Sequence, residues 1–121
     1  MVDRAVLDAS TAGRRRGFPR FVVFPSRYEG YGLSLVEAMA MGKACLSGVA
    51  GALTEVGGSA PLYIDPVDLL AWVTALSEAF TDDAMIGRLE DRARADYDPV
   101  TWDDSADRFY AILNQWSEQK P

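Results

Sequence analysis

The strongest constraint on the fold is an alternation of two periodicities. "FVVFPS" (21–26), "ACLSG" (44–48) and "PLYI" (61–64) are short apolar runs, and each is followed by a stretch with helical spacing. The first run is continuously apolar, rich in β-branched and aromatic residues, and stopped by Pro25. It reads as a parallel strand buried on both faces. "LSLVEAMAM" (33–41) places apolar residues at helical spacing among strong helix formers, and Gly42 supplies a C-terminal stop. "ALTEVGG" (52–58) gives one or two helical turns ended by its glycine pair. "DPVD" (65–68) reads as a turn with a carboxylate cap for the next helix. Strand, helix, strand, helix, strand, helix implies a parallel sheet with right-handed crossovers.

Three further helical stretches follow: "LLAWVTALSEAF", "DDAMIGRLEDRARADY" and "TWDDSADRFYAILNQW". Trp72, Trp102 and Trp116 each belong to a helical apolar pattern and are expected to pack. Residues 1–20 do not fit the scheme, and "RRRG" with Arg20 is a local basic cluster on an acidic chain. The expected organisation is a poorly ordered segment over 1–20 and a folded unit over 21–121.

Composition narrows the chemistry. A chain of 121 residues, 49% hydrophobic and 25% charged, suits one globular domain. A net charge of -6 argues against nucleic acid or an anionic membrane as the main partner. With no histidine, imidazole acid–base catalysis, Ser-His-Asp chemistry and imidazole metal sites are excluded within this chain, and no metal site is expected. The single cysteine, Cys45, lies in an apolar run without a basic partner, so it reads as a small buried residue. It suits a reducing compartment. No apolar stretch is long enough to span a bilayer, and the N-terminal arginines follow the apolar residues, unlike a signal peptide. These features point to the cytoplasm.

The stretch with the most chemistry is "SRYEGYGLSLVEAM" (26–39), which puts Glu29 and Glu37 on either side of Gly30-Tyr31-Gly32. A strand ending at Pro25 delivers this loop to the carboxyl edge of the sheet, where open α/β sheets bind ligands. Gly30 and Gly32 permit close backbone approach, and a helix starting near Ser34 offers free N–H groups to a phosphate. Carboxylates accept hydrogen bonds from vicinal sugar hydroxyls. Against this stands a structural reading: Ser34-Leu35-Val36-Glu37 has capping-box spacing, and Glu29 is then an ordinary loop acid. Spacing alone leaves both open. Asp103, Asp104 and Asp107 on the last helix read as a solvated acidic face.

The whole string "FVVFPSRYEGYGLSLVEAMAMGKACLSGVAGALTEVGGSAPLYIDPVD" resembles the C-terminal, nucleotide-sugar-binding domain of retaining GT-B glycosyltransferases of the group 1 (family 4) type. The resembling features are "PS" after a strand, E-G-aromatic-G-L, "VEAMA-x-G", "G-x-x-x-E-V" and "LY-x-DP", in that order over about residues 21–115. The fold implied is α/β: a parallel three-layer Rossmann-like half-domain of about three strands with flanking helices. The resemblance implies that Glu29 contacts the donor sugar as the catalytic-site acid. It implies that Gly30, Tyr31, Gly32 and Leu33 bring backbone amides to sugar and diphosphate, and that Glu37 binds the ribose hydroxyls. Glu55 matches a further acid of less defined role. Ser34 and Thr54 stand where the family often has proline.

The resemblance starts part-way through that domain, so the chain reads as truncated on its N-terminal side. The family's earlier strands, its diphosphate-neutralising Arg and Lys and its acceptor-binding domain have no counterpart here. The expected function is binding of a nucleotide-diphosphate sugar, with no separate cofactor, in a region derived from an enzyme that transfers a hexose with retention. Its acceptor would be a glycan or a lipid-linked sugar held by the missing domain. The isolated chain is expected to be inactive. The rival expectation is a non-catalytic docking module that completes its sheet with a partner chain or by self-association at an exposed edge.

Overall fold

The computed structural model describes residues 19–118. Most of the N-terminal segment, with the three arginines of "RRRG", lies outside the described residues. Three parallel strands form one sheet in the order β1 (Phe21–Phe24), β2 (Ala44–Gly48), β3 (Leu62–Ile64). Phe21 pairs with Ala44 and Phe24 with Ser47, while Leu46 pairs with Leu62 and Gly48 with Ile64. β1 stops at Phe24, before Pro25, which has no N–H for the ladder.

Helices cover both faces. Val22, Phe24 and Cys45 pack toward α1 (Leu33–Ala40) and α2 (Leu53–Gly57). Their sequence neighbours Phe21, Val23, Ala44 and Leu46 pack toward α3 (Leu69–Thr81) and α4 (Asp83–Asp96). That division is the period-two alternation of a strand with apolar residues on both sides. β2, central in the sheet, is buried along its whole length, as the run "ACLSG" requires. The result is the three-layer α/β arrangement that the alternation implies.

Local chemistry fixes the corners. Asp65 Oδ1 accepts from the Val67 amide at 3.0 Å, and Asp68 Oδ1 accepts from Ala71 at 2.9 Å to cap α3. Trp72 is buried, and its indole N–H donates to the Asp65 carbonyl at 3.0 Å. Asp82 alone separates α3 from α4: its amide donates to Glu78 O, and its carboxylate accepts from Met85 N. Arg20 is tied to this corner, donating to Ala79 O at 3.0 Å and pairing with Asp83 at 2.5 Å.

The last helix, α5 (Trp102–Glu118), corrects the sequence reading of the tryptophans. Trp72 packs, but Trp102 and Trp116 are 67% and 63% exposed, because no residue of α5 is buried. Their spacing is that of a packing face. Both side chains nevertheless stay largely exposed.

Candidate functional site

Two loops meet at the carboxyl edge of the sheet, one after β1 and one after β2. The Ala52 amide donates to the Glu29 carbonyl at 3.2 Å, fastening the second loop under the first. Gly51 makes this possible. It has φ +52°, and a Cβ there would lie 2.5 Å from the Glu29 carbonyl oxygen. The Glu29 main chain is thus set by a backbone contact 22 residues away in sequence, between positions 29 and 51. The Glu29 side chain is half-buried, and its Oε1 accepts from the Ser26 hydroxyl at 2.8 Å.

Helix α1 starts at Leu33, the first residue of the helical stretch read from the sequence, but not by the capping box. Gly32 is the N-cap in the left-handed region, φ 86°, and its carbonyl accepts from Leu35 at 3.0 Å and Val36 at 3.2 Å. No side chain caps this end. The Ser34–Glu37 capping box therefore does not form, because both residues already lie inside the helix. What holds α1 is burial: Leu35, Val36, Ala38 and Met39 are inside, and Leu53 lies so close to Gly32 that a Cβ there would meet its Cδ2 at 2.5 Å. The Leu33 and Ser34 amides belong to the first turn, where an α-helix has no internal acceptor for its N–H groups.

The expected site residues thus fall into two sets. Glu29, Gly30, Tyr31, Gly32 and Leu33 are consecutive along the rim, with Tyr31 and Leu33 exposed. Glu37 lies one turn further along α1 on its solvent face, with no capping duty. Gly30 differs from Gly32. It is exposed, its φ is not positive, and nothing lies within 4 Å of a Cβ built on it. The fold itself makes no demand for glycine at that position. Glu55, in the first turn of α2, is exposed.

Tyr97, at the C-terminal end of α4, is a neighbour of the site that the sequence did not reveal. It packs against the cluster containing Leu35, Met39 and Leu53. Its phenol is pushed up to about 12, first by burial and then by the nearby Tyr31 and Asp98. Only an aromatic residue just past a helix end hints at it. On the other face, Val23, Pro25, Arg27, Val67, Leu69 and Trp72 help line an open groove of about 430 Å³. Cys45 is 1% exposed, and burial pushes its thiol up to about 12, so it is a packing group and not a nucleophile. Among the described residues no cluster of His, Cys, Asp or Glu is arranged to hold a metal ion, and no helix is long and apolar enough to cross a membrane.

A parallel three-stranded sheet with flanking helices, its acidic loop leading into a helix with no side-chain cap, is a Rossmann-like half-domain. Comparison with known proteins gives the family. The profile described as "Glycosyl transferases group 1" matches residues 20–82. The chain belongs to this family. It is 38% identical over 65 residues to the O-antigen chain mannosyltransferase B of Escherichia coli, covering 54% of this chain and 17% of that protein. It is 32% identical over 103 residues to an Escherichia coli serotype-specific mannosyltransferase WbdA, covering 82% of this chain and 13% of that protein. The chain thus spans less than a fifth of the length of these relatives. No solved structure matches it significantly.

Proposed function

We propose that this chain is the donor-binding edge of a glycosyl transferase and that its ligand is a nucleotide-diphosphate sugar. The observation that carries the reading is the construction of the rim. The Ala52–Glu29 hydrogen bond fixes the loop from below, while its upper side and the first turn of α1 stay open. In this reading Glu29 accepts from hydroxyls of the donor hexose. The Gly30–Leu33 backbone approaches the sugar and diphosphate, with the α1 dipole favouring the anion. Glu37, free of the capping box, accepts from the ribose hydroxyls. The curated relatives carry mannosyltransferase in their names, so a mannosyl donor is the first to try. Transfer with retention to a glycan or lipid-linked acceptor, in the cytoplasm, completes the proposal.

Donor binding and turnover separate here. Stabilising a departing nucleotide diphosphate takes preorganised charge in a site that excludes water. The rim of this chain is open, with Tyr31 42% and Leu33 54% exposed. The 121-residue chain should therefore bind donor weakly, with a dissociation constant near 1 mM or about 4 kcal/mol, and not turn it over. Titration of the chain with GDP-mannose and UDP-glucose, followed by NMR, tests this. Glu37→Gln and Glu29→Ala should each weaken binding at unchanged thermal stability. Donor binding that neither change affects would sink the proposal, as would no binding at millimolar concentration. Sustained release of nucleotide diphosphate, lost in Glu29→Ala, would overturn the separation of binding from turnover.

A second reading, a module that docks by completing its sheet, is favoured by one observation. Among the described residues β1 is an edge strand, its Val23 helps line the 430 Å³ groove, and Leu69, Val73 and Phe80 of α3 are exposed. An exposed strand edge with apolar flanks is a template for another chain.

A further inference from the structure

We propose that Ser26 is the positioning residue of Glu29: its hydroxyl holds one carboxylate oxygen and leaves the other for the ligand. The inference rests on the reading of Glu29 as an acceptor for the donor hexose, and it adds the group that orients that acid. The Ser26 hydroxyl donates to Glu29 Oε1 at 2.8 Å, from three residues earlier in the same loop. Among the described residues Oε1 has this partner and Oε2 has none. An ionised carboxylate only accepts hydrogen bonds, and a serine hydroxyl supplies a single donor. The bond therefore restrains the carboxylate without using up its capacity to accept from a sugar.

The loop does not need this bond to keep its shape. Both of its ends are set by backbone packing against the end of β2 and the loop that follows. A Cβ on Gly48 would lie 2.6 Å from the Ser26 carbonyl oxygen, and one on Gly51 would lie 2.5 Å from that of Glu29. The Ala52 amide then donates to the Glu29 carbonyl at 3.2 Å. Between these two fixed points Arg27 and Tyr28 are exposed, Tyr28 at 81%. A side-chain bond laid over a backbone already fixed at both ends restrains the side chains more than the chain.

Of the two partners, Glu29 has more freedom to lose. Glutamate is among the side chains with the largest rotamer entropy, and a ligand that must order it gives up affinity. Holding the carboxylate before the ligand arrives removes that cost from binding, which is preorganisation. Gly51 and Ala52 fix where the Glu29 main chain stands, and Ser26 fixes how its carboxylate is turned. The two controls are independent, so the second can be removed without the first.

Two measurements test this and keep it apart from the donor-binding reading. In the chain without ligand, NMR scalar couplings of Glu29 report its side-chain torsions. They should show one rotamer in the wild type, averaging in Ser26→Ala, and one rotamer again in Ser26→Thr, which keeps the hydroxyl. Unchanged Glu29 torsions in Ser26→Ala overturn the proposal whether or not any sugar binds. In titrations with GDP-mannose, Ser26→Ala should weaken binding by about three- to tenfold at unchanged thermal stability, and Ser26→Thr should restore most of the loss. In the Glu29→Ala background, Ser26→Ala should have no further effect, because a positioning residue acts only through the group it positions. Equal losses in both backgrounds would show Ser26 acting by itself, and would overturn the proposal. A wild-type chain that binds no donor, but in which Ser26 still fixes the Glu29 rotamer, counts against the donor-binding reading alone.

Discussion

Helices α1 and α5 begin in opposite ways and are held by opposite means. α1 starts at a left-handed glycine with no side-chain cap, and buries four of its eight residues. α5 starts with reciprocal hydrogen bonds. The Thr101 amide and hydroxyl donate to Asp104 Oδ2 at 2.8 and 2.6 Å, and the Asp104 amide donates back to Thr101 Oγ1 at 3.2 Å. These bonds, the hydroxyl one foremost, hold the Asp104 carboxyl below its usual range. Yet α5 buries nothing. Tertiary packing can hold a helix whose first amides stay unclaimed, and those amides are then available to a ligand. Local capping can define a helix that buries none of its residues. The first arrangement makes a site and the second makes a surface.

The comparison is broken most directly by cutting into each helix. Leu35 is 0% exposed, and Leu35→Ala should cost about 2–5 kcal/mol by losing transfer energy and leaving a cavity. Leu113→Ala on α5, at a position that is 42% exposed, should change stability by no more than about 0.5 kcal/mol. Urea denaturation of both variants checks the pair. Similar losses would mean that α5 contributes to the monomer core after all.

Gly32→Ala sharpens the argument about how α1 starts. Its Cβ would meet Leu53 Cδ2 at 2.5 Å, and φ 86° is costly for any residue with a side chain. Because Leu53 can shift, an intermediate loss of about 1–2 kcal/mol is expected, as at other strained backbone positions. A neutral outcome in the same denaturation experiment would show that α1 can start by some other conformation.

The alternation of apolar runs and helical stretches was enough to read the strands, the helices and the parallel sheet, because each is decided by neighbours in sequence. Asp68 as a cap and Gly42 as a stop were legible for the same reason: Asp68 accepts from Ala71, and Gly42 takes φ +63°. What sequence could not show depends on distant contacts. Ser34 and Glu37 have capping-box spacing, but Leu53 and the buried face of α1 set the helix start at Gly32. Trp102 and Trp116 have core spacing, but periodicity records that a face is apolar and not what covers it. Tyr97 joined the site through packing between α1 and α2, which no motif announces. At the rim, the residues of 29–33 were readable as a group. The Gly51 contact that fixes their backbone was not.

The smallest expected effect on stability is at Gly30, and it bears most directly on whether the rim is a site. Unlike Gly32, Gly30 has neither a positive φ nor a neighbour within 4 Å of a Cβ built on it. Gly30→Ala should therefore leave stability within about 0.5 kcal/mol, with a slight gain possible because alanine narrows the unfolded ensemble. If a donor sugar approaches this backbone, the added methyl occupies the approach, and donor affinity should fall several-fold. The measurement pairs a denaturation curve with the NMR titration used for Glu37→Gln. Lost affinity at unchanged stability makes Gly30 a contact that only the ligand explains. Unchanged affinity would mean that the ligand, if it binds, passes elsewhere along the rim, leaving the first turn of α1 and Glu37 to carry recognition without the loop.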